Sequence, residues 1–368
     1  MGGLAFRPDT ASDGGWEDEP MTRSLLQHLV GDAEFEALFA DEAEIAAILR
    51  FEAALAGAEA DAGLISETAA DAIGKATAGF KPDMADLAQG IAKDGVVVPA
   101  LMRQLRAAVG EHAGSLHLGA TSQDAIDTGL MLRLAAAIAL IDQRLVALEG
   151  AFATLGERDG TLTMMAHTRM QCALPMPVST KLAAWTAPLT RARRTLNLLR
   201  RRLLVIQLGG PVGTRAELGG KGELVARRLA ERLDLGLADP WHTERDPIAE
   251  FGAVLSLITG ALGKFGADVS LLSQNEVATI VIEGGGGSSA MAHKSNPVNA
   301  ELLVALARFN AGLVGTLHQA LVHEYERSGA AWTLEWMVLP QMVVATGASL
   351  RIATALAGQI GFQSGKPQ

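Results

Sequence analysis

The feature that most constrains the fold is a set of three long segments in which apolar residues recur every three or four positions. They cover residues 126–148, 251–272 and 302–321. Each runs for many turns without proline and is longer than the mean helix of ~11–12 residues. Because the apolar stripes are wide, each helix is expected to pack against several neighbours, as in a bundle. We therefore predict an all-α fold.

The composition agrees with long, closely packed helices. Of the 368 residues, 49% are hydrophobic but only 4% are aromatic. Alanine and leucine favour helices, and small side chains let helices approach closely. The formal net charge is −10, from 31 Lys plus Arg against 41 Asp plus Glu. This acidic balance argues against a general nucleic-acid binder, which would carry a basic field.

Several function classes are disfavoured by what the sequence contains. The single cysteine, Cys172, excludes an intramolecular disulfide framework and offers at most one ligand to a zinc site, so no metal is expected. No stretch of ~18–20 apolar residues is free of charge, and we expect no membrane span. Residues 1–20 contain acids and glycines instead of a basic region followed by an apolar run, unlike a signal peptide. A cytoplasmic location is expected.

The chain is divided into four parts on the basis of glycine-rich punctuation and helical periodicity. A glycine-rich stretch at 114–119 precedes the first long helix and marks a boundary. We predict a disordered tail at 1–20, an N-terminal helical domain at 21–116, a central long-helix bundle at 117–345, and a vestigial C-terminal segment at 346–368.

A glycine-rich segment at 283–297 departs from the helical pattern and carries an ordered set of polar groups. Four consecutive glycines, 284–287, prevent a stable helix and provide a hinge. Two serines, Ser288 and Ser289, follow, and then Lys294 and Asn296. Backbone N–H groups, hydroxyls, a cation and an amide in one short loop suit an anion whose charge grows during a reaction. A plain linker has no need of this set.

The stretch GSSAMAHKSNP at 287–297 resembles the GSSxMPxKxNP loop of the fumarase/aspartase superfamily, with Ala292 in place of the usual proline. Members abstract a proton beside a carboxylate and expel a leaving group, or run the reverse addition. The resemblance implies that Ser288 transfers the proton and that Lys294 supports it. The substrate-binding residues that it implies in this loop are Ser289, Met291 and Asn296.

A second segment, HLGATSQD at 117–124, resembles the superfamily's first consensus region, where hydroxyls bind the substrate carboxylate. Thr121 and Ser122 lie at the predicted start of the first long helix, where free N–H groups and the helix dipole favour an anion. The same residues also suit capping, with Ser122 or Asp124 as the N-cap. Both interpretations can hold together. His117 is the candidate for a second acid/base role.

A third segment, MMAHTRMQCALP at 164–175, resembles the second consensus region. In fumarases and adenylosuccinate lyases that region carries a histidine one residue after the threonine, whereas this chain has Arg169 there. Arginine cannot serve as an acid or base near neutral pH. The resemblance leaves Arg169 and Gln171 as candidate substrate-binding residues.

Three further stretches resemble the 3-carboxy-cis,cis-muconate cycloisomerase branch, at 207–214, 240–246 and 326–336. They contribute the candidate binding residues His242, Arg245 and Arg327. This branch adds a carboxylate across a double bond of the same molecule and gives 4-carboxymuconolactone in protocatechuate degradation, without a cofactor. The family resemblance implies a homotetramer whose sites are shared between subunits and which acts on a small tricarboxylate, with no nucleic acid or membrane partner.

Two other functions stay open on the sequence alone. One is a β-elimination of the adenylosuccinate lyase type, which predicts a histidine where Arg169 stands. The other is a non-catalytic helical scaffold, against which the intact set of Ser288, Lys294 and Asn296 weighs.

Overall fold

The computed structural model describes residues 24–287, 291 and 295–363. The structure is mostly helical, at about 70%. Within the described residues, the chain forms twelve α-helices and four short strands. The predicted all-α class is confirmed.

Six helices precede the first long one. They are α1 (Leu25–Val30), α2 (Ala33–Ala37), α3 (Asp41–Asp61), α4 (Glu67–Ala78), α5 (Met84–Asp94) and α6 (Val98–Val109). Local sequence explains their limits: Asp83 caps α5 by accepting hydrogen bonds from Ala85 N and Asp86 N, and Gly95, at φ 74°, ends it. A 3-10 turn, Gly110–Ser115, occupies the start of the predicted boundary region.

The remaining helices build the bundle. They are α7 (Ser122–Asp159), α8 (Val178–Leu203), α9 (Gly222–Leu233), α10 (Asp246–Leu272), α11 (Val298–Gln319) and α12 (Gly329–Gln359). The three long segments predicted from periodicity lie in α7, α10 and α11. The sequence analysis did not identify α8 and α12 as long helices. Each contains an internal proline, Pro188 or Pro340, which the helix tolerates here.

Two short antiparallel ribbons accompany the helices, although no strand was expected. β1 (Thr163–Thr168) pairs with β2 (Gln171–Pro177) as a hairpin directly after α7. β3 (Ile280–Ile282) pairs with β4 (Ile360–Phe362), which follows α12. Both ribbons are too short to change the fold class.

The long helices α7, α10 and α12 run in the same direction, which gives the bundle two distinct ends. Where these helices begin, Arg245 binds Asp127 of α7 and Glu335 of α12. Where they finish, Phe362 N donates a 2.9 Å hydrogen bond to Asp159. We call these the Thr121 end and the hairpin end. The 38 residues of α7 separate them by about 57 Å.

Glycines on α10 allow the close helix packing expected from the composition. A Cβ at Gly263 would lie 2.5 Å from Ala307 Cβ, and one at Gly266 would lie 2.4 Å from the Ala300 carbonyl oxygen. Any larger residue at these two positions would push α10 and α11 apart. The small residues therefore set the spacing of this helix pair.

The buried apolar residues form two cores. The larger runs along α7, α8, α10, α11 and α12. The smaller joins α3 and α6 to α9, so it draws on both sides of the predicted boundary at 116/117. The predicted boundary at 345/346 falls inside α12, whose residues up to Ala357 contribute to the larger core.

Within the described residues, three helices are long and apolar enough to cross a membrane by length and composition: α10, α11 and α12. The sequence analysis expected none, because it required an apolar stretch without charge, whereas these helices carry a few charged residues. In α10 and α12 the most apolar windows are 61% and 67% buried inside the protein. The window of α11 is only 28% buried, which leaves one apolar helix face uncovered in a single chain.

Candidate functional site

The Thr121 end is organised around one buried carboxylate, Asp124. Its oxygens accept hydrogen bonds of 2.9 Å from the backbone N–H groups of Thr121, Gly209 and Gly210. The Nε2 of His242 donates a further 2.9 Å bond to it. Asp124 is 0% exposed, so these bonds replace its hydration. The Asp124 side chain thus joins the first turn of α7 to the turn at Gly209 and Gly210, which we call the glycine turn, and to the segment before α10.

The start of α7 is capped differently from the expectation. Thr121, with extended backbone, is the N-cap residue, and Asp124 forms a capping box with it. Ser122 is the first helical residue, so neither Ser122 nor Asp124 is the N-cap. The side chains of Thr121 and Ser122 are partly exposed at this helix N-terminus. They are placed to bind an anion there.

The glycine turn packs directly on His242. A Cβ at Gly209 would lie 2.8 Å from His242 Cε1, so only glycine fits there. Gly210 adopts φ 68°, a conformation that glycine takes without strain. His242 itself is 5% exposed. The sequence analysis proposed it as substrate-binding, but the structure shows it as part of the buried support of Asp124.

Gln123 connects the buried network to a surface arginine. Its side-chain amide donates to Asp127 and to the His242 carbonyl oxygen, at 3.1 and 2.9 Å. Its Oε1 accepts a 2.8 Å bond from Nε of Arg327. Arg327 remains exposed and also donates to the Pro211 carbonyl oxygen. Gln123 and the Pro211 carbonyl therefore orient the guanidinium from the protein side, while its other side is exposed to solvent. A cation that binds a carboxylate needs both features.

Arg245 is buried, in contrast to its predicted substrate-binding role. It is 2% exposed, and its nitrogens bind Asp127 at 2.6 and 3.0 Å and Glu335 at 2.6 and 3.0 Å. Burial alone lowers the pKa of Arg245, but these two carboxylates raise it well above its ordinary value. Trp332 Nε1 donates to Asp127 at 3.1 Å and completes the cluster. Arg245 therefore fastens α7, α10 and α12 together and is not presented to a substrate.

His117 is held by Glu52, a residue that the sequence analysis missed. His117 Nδ1 donates a 2.6 Å hydrogen bond to Glu52 Oε1, and Glu52 is 0% exposed on α3. His117 adopts φ 61°, which turns the chain sharply before Thr121. Burial lowers the pKa of His117, but the charge and hydrogen bond of Glu52 outweigh it, so the pKa is raised. A carboxylate within the apolar stretch of α3 was the available signal.

Of the other candidate residues, those that the structure describes lie at the hairpin end. Arg169 and Met170, at φ 49° and 67°, form the turn between β1 and β2, and Arg169 is exposed. Gln171 is exposed beside this turn. Asn296 pairs with Gly286 through two backbone hydrogen bonds of 2.9 and 2.8 Å. Met291 is also exposed. Ser288, Ser289 and Lys294 lie outside the described residues.

The predicted site residues therefore form two groups rather than one. His117, Thr121, Ser122 and Arg327 belong to the Thr121 end, together with the buried support described above. Arg169, Gln171 and Asn296 belong to the hairpin end, about 57 Å away along α7. One chain does not bring these groups into a single cleft. The Thr121 end can bind a carboxylate, while the hairpin end offers a cation and two amides.

The comparisons with known proteins identify the family that the sequence motifs resemble. The Lyase_1 family model, described as "Lyase", matches residues 30–310. The chain belongs to the Lyase_1 (fumarase/aspartase) family. It is therefore an enzyme of this family, and its motifs and helical bundle are those of the family.

Family relatives share both sequence and structure with the chain. A 3-carboxy-cis,cis-muconate cycloisomerase from Pseudomonas aeruginosa is 43% identical over 332 residues, which are 88% of this chain and 72% of the relative. The crystal structure of the 3-carboxy-cis,cis-muconate lactonizing enzyme from Pseudomonas putida has a TM-score of 0.87 and 39% identity, covering 93% of this chain and 78% of that one. The chain is also similar to an N-acetyl-S-(2-succino)cysteine lyase from Enterococcus italicus, which is 33% identical over 89% of this chain and 73% of the relative.

Proposed function

We propose that this Lyase_1 family chain is a 3-carboxy-cis,cis-muconate cycloisomerase. Four relatives with this name are 37% to 43% identical over 88% to 92% of the chain. Other relatives, such as the succinocysteine lyase, act differently, so the choice needs support from the site. The observation that carries it is the Thr121 end, where a helix N-terminus, two hydroxyls, His117 and Arg327 form a carboxylate-binding surface.

The proposed reaction needs no cofactor. One carboxylate oxygen of the substrate forms a bond to a carbon of a double bond in the same molecule. The double-bond electrons move toward a neighbouring carboxylate, and a proton is delivered to the adjacent carbon, so that no atom is lost. Because the attack is intramolecular, the protein gains most by fixing the folded shape of the substrate. It must also stabilise the negative charge that collects on the neighbouring carboxylate.

At the Thr121 end, each group has a proposed task. Thr121, Ser122 and the free N–H groups of α7 bind one carboxylate. Arg327, oriented by Gln123, binds a second through its planar pair of donors. His117, whose pKa is raised by the neighbouring Glu52, favours its charged form more than an isolated histidine does and is placed to attract or protonate the anion. Asp124 and the Arg245 cluster keep these groups in position.

At the hairpin end, the proposed roles rest on the family resemblance. Ser288 transfers the proton, and Lys294 stabilises its alkoxide. Asn296 and Gln171 bind the remaining carboxylate, with Arg169 as a cation in place of the family's histidine. Ser289 and Met291 line the same loop.

The two ends are proposed to meet in a homotetramer. A chain whose site residues lie about 57 Å apart needs another copy to complete one site. The weakly buried apolar window of α11 offers a face for such association. Burying it between copies would also account for the apolar surface that α11 leaves uncovered in a single chain.

The test is an absorbance assay with 3-carboxy-cis,cis-muconate, whose conjugated diene is lost on lactonisation. We expect turnover with this substrate, and Ser288→Ala is expected to reduce it ~10³-fold while the circular dichroism spectrum stays unchanged. Asn310→Ser, in the core and away from both groups, is a matched control for handling and folding. Cleavage of adenylosuccinate or of a succinylated thiol without lactonisation would establish the β-elimination alternative, and absence of all three activities would support a scaffold.

A further inference from the structure

A cavity of about 270 Å³ lies outside the two groups of site residues. It sits between the N-terminal helices and the bundle, where α7 and α12 pass the segment before α6. Arg133, on its wall, is twelve residues beyond Thr121 along α7, which corresponds to about 18 Å. Arg133 is thus distant from the carboxylate-binding surface at the Thr121 end, whereas Ile126, five residues after Thr121, brings the near side of the cavity wall to within about 8 Å of it along the helix.

Most of the cavity wall is apolar. Phe39, Ile126, Leu130 and Leu339 contribute to it. A pocket of this kind, with apolar walls and a few convergent polar groups, is the usual form of a small-molecule site. Its volume suits a ligand of roughly ten heavy atoms and excludes a nucleotide.

The charge of Arg133 is only partly compensated in the chain, by Glu44 and by the Phe39 ring, whose centroid lies 5.7 Å from the guanidinium carbon. The Arg133 side chain is 10% exposed, and its ion pair with Glu44 is long, at 3.6 Å. Its Nε is buried without a hydrogen-bond partner among the described residues. Burial lowers the pKa of Arg133, and Glu44 offsets this only in part. Arg245 shows the contrast, since two carboxylates bind that guanidinium closely. A buried cation in this state attracts an anion.

A second donor on the wall has the same need. Trp336 lines the cavity, and its indole N–H is buried without a partner in the part of the chain that the structure describes. Buried polar groups are almost always hydrogen-bonded, so unpaired donors on two residues that line one cavity indicate a missing acceptor. Both unsatisfied groups are donors, and neither would be satisfied by a cationic ligand.

We propose that this cavity binds a small monocarboxylate with an apolar body, with its carboxylate against Arg133. A single negative charge is specified because Glu44, whose carboxylate pairs with Arg133, also lines the wall and repels a polyanion. The proposed tricarboxylate substrate is therefore excluded, and the inference does not depend on the proposed reaction.

A ligand in the cavity would contact residues that hold the Thr121 end in position. Glu335 lines the cavity with one face and binds Arg245 at 2.6 Å with its carboxylate. The Trp336 ring lies 4.4 Å from that of Trp332, whose N–H donates to Asp127. Binding in the cavity therefore acts on both carboxylates that hold Arg245. This gives the site a direct physical route to the carboxylate-binding surface.

The experiment uses benzoate as the probe and benzamide, its uncharged isostere, as the control ligand. Titration calorimetry on the full chain is expected to show benzoate binding with a dissociation constant below about 1 mM, and benzamide binding at least tenfold more weakly. Tryptophan fluorescence is expected to change with benzoate, and Trp336→Phe removes most of that change. Arg133→Met is expected to weaken benzoate binding at least tenfold.

Controls separate the site from general effects. Arg193→Met removes an arginine that is paired with Asp142 on the surface, and it is expected to leave benzoate affinity unchanged. Arg133→Lys keeps the charge, so it reports on the site if Arg133→Met does not fold. Equal affinity for benzoate and benzamide, undiminished binding by folded Arg133→Met, or no binding by the unchanged chain would each overturn the proposal. All these readouts are independent of turnover.

Discussion

The two ends of the bundle differ in how completely the chain itself supports their side chains. At the Thr121 end, Asp124, Asp127, Arg245 and Glu335 are each at most 2% exposed and are bonded to one another or to the backbone. At the hairpin end, Arg169 and Gln171 occupy an exposed turn, and Met170 and Leu174 are each 74% exposed. The side chains of the Thr121 end are bonded within one chain, whereas those of the hairpin end are exposed.

Under the proposed function, this contrast corresponds to a division of labour between copies of the chain. Buried, fully bonded carboxylates hold the carboxylate-binding groups in one geometry before any substrate arrives. An apolar hairpin that projects from the bundle gains stability only by burial against another surface. We infer that the Thr121 end of one copy contacts the hairpin end of another.

The sharpest way to break this comparison is to damage the two ends in separate chains. Thr121→Ala and Ser288→Ala are each expected to lower activity by ~10²–10³-fold when all subunits carry the change. If sites combine different copies, chains mixed after reversible dissociation regain activity, because some sites then receive two undamaged contributions. We expect roughly a quarter of the original activity, a binomial estimate for sites that draw these two residues from different copies. Turnover of the mixed sample measures it.

The control for mixing places both substitutions in one chain and combines it with another inactive chain. Thr121→Ala mixed with the double variant is expected to stay inactive, because no site can then obtain both an intact Thr121 and an intact Ser288. Recovery in that mixture would point to contamination. If the two single variants show no recovery although mass spectrometry detects mixed oligomers, the shared-site proposal is wrong.

The next largest effect concerns stability at each end. Arg245→Met leaves Asp127 and Glu335 buried without their cation, and it is expected to lower the free energy of unfolding by about 3–5 kcal/mol. Arg169→Met makes the same chemical change on the exposed turn and is expected to alter it by less than about 0.5 kcal/mol. Urea unfolding of both variants measures the difference. Equal losses would show that the two ends are supported alike.

Much of the bundle could be predicted from the sequence because helical periodicity is a local signal. It gave α7, α10 and α11, whereas α8 and α12 were missed since Pro188 and Pro340 interrupt the pattern. Tertiary packing supplies what those helices lose, and no local rule reports it.

The motif residues of the candidate site could also be found in the sequence, but not their surroundings. Arg245 stands in a recognisable motif, yet its partners Asp127 and Glu335 are 118 and 90 residues away. Whether an arginine faces substrate or two buried carboxylates depends on such distant contacts. Glu52 was missed for the same reason, since it lies 65 residues from His117.

A buried carboxyl in the smaller core, that of Glu59, extends the comparison of buried and exposed groups to the pH dependence of stability. Glu59 is 0% exposed, and burial, with a contribution from Glu52, raises its pKa to about 9. Between its ordinary pKa and about 9, the folded chain keeps a proton that the unfolded chain releases, so stability falls as pH rises. Glu59→Gln removes this penalty. We expect little difference from the unchanged chain at pH 4 and a gain on the order of a few kcal/mol at pH 8.5.

Thermal unfolding of the Glu59→Gln chain at the two pH values checks this sign. Glu283→Gln, on the hairpin-end segment after β3, serves as the exposed-side control and is expected to leave the pH dependence of Tm unchanged. A destabilisation that is the same at both pH values would mean that Glu59 has the same pKa in the folded and unfolded chains, and a larger loss at pH 8.5 than at pH 4 would mean that Glu59 is ionised and paired in the folded chain.

The smallest expected effect is at His117, where Glu52→Gln keeps the hydrogen-bond geometry but removes the charge. Glu52 from α3 and Asp124 from α7 raise the pKa of His117, while burial and Arg106 from α6 lower it. Removing the Glu52 charge is therefore expected to lower the pKa of His117. Nuclear magnetic resonance titration of the histidine ring measures it directly.

The sign of the stability effect follows from the raised pKa. The Glu52–His117 pair contributes fully below the ordinary histidine pKa of ~6.5, and this contribution is lost as pH rises through the raised value. Glu52→Gln should therefore cost more stability at pH 6 than at pH 9, while the ring signals of His167 at the hairpin end stay as in the unchanged chain. An unshifted His117 titration would show that Glu52 acts on its position only. The Thr121 end would then be held in place by hydrogen bonds, without a charge pair at His117.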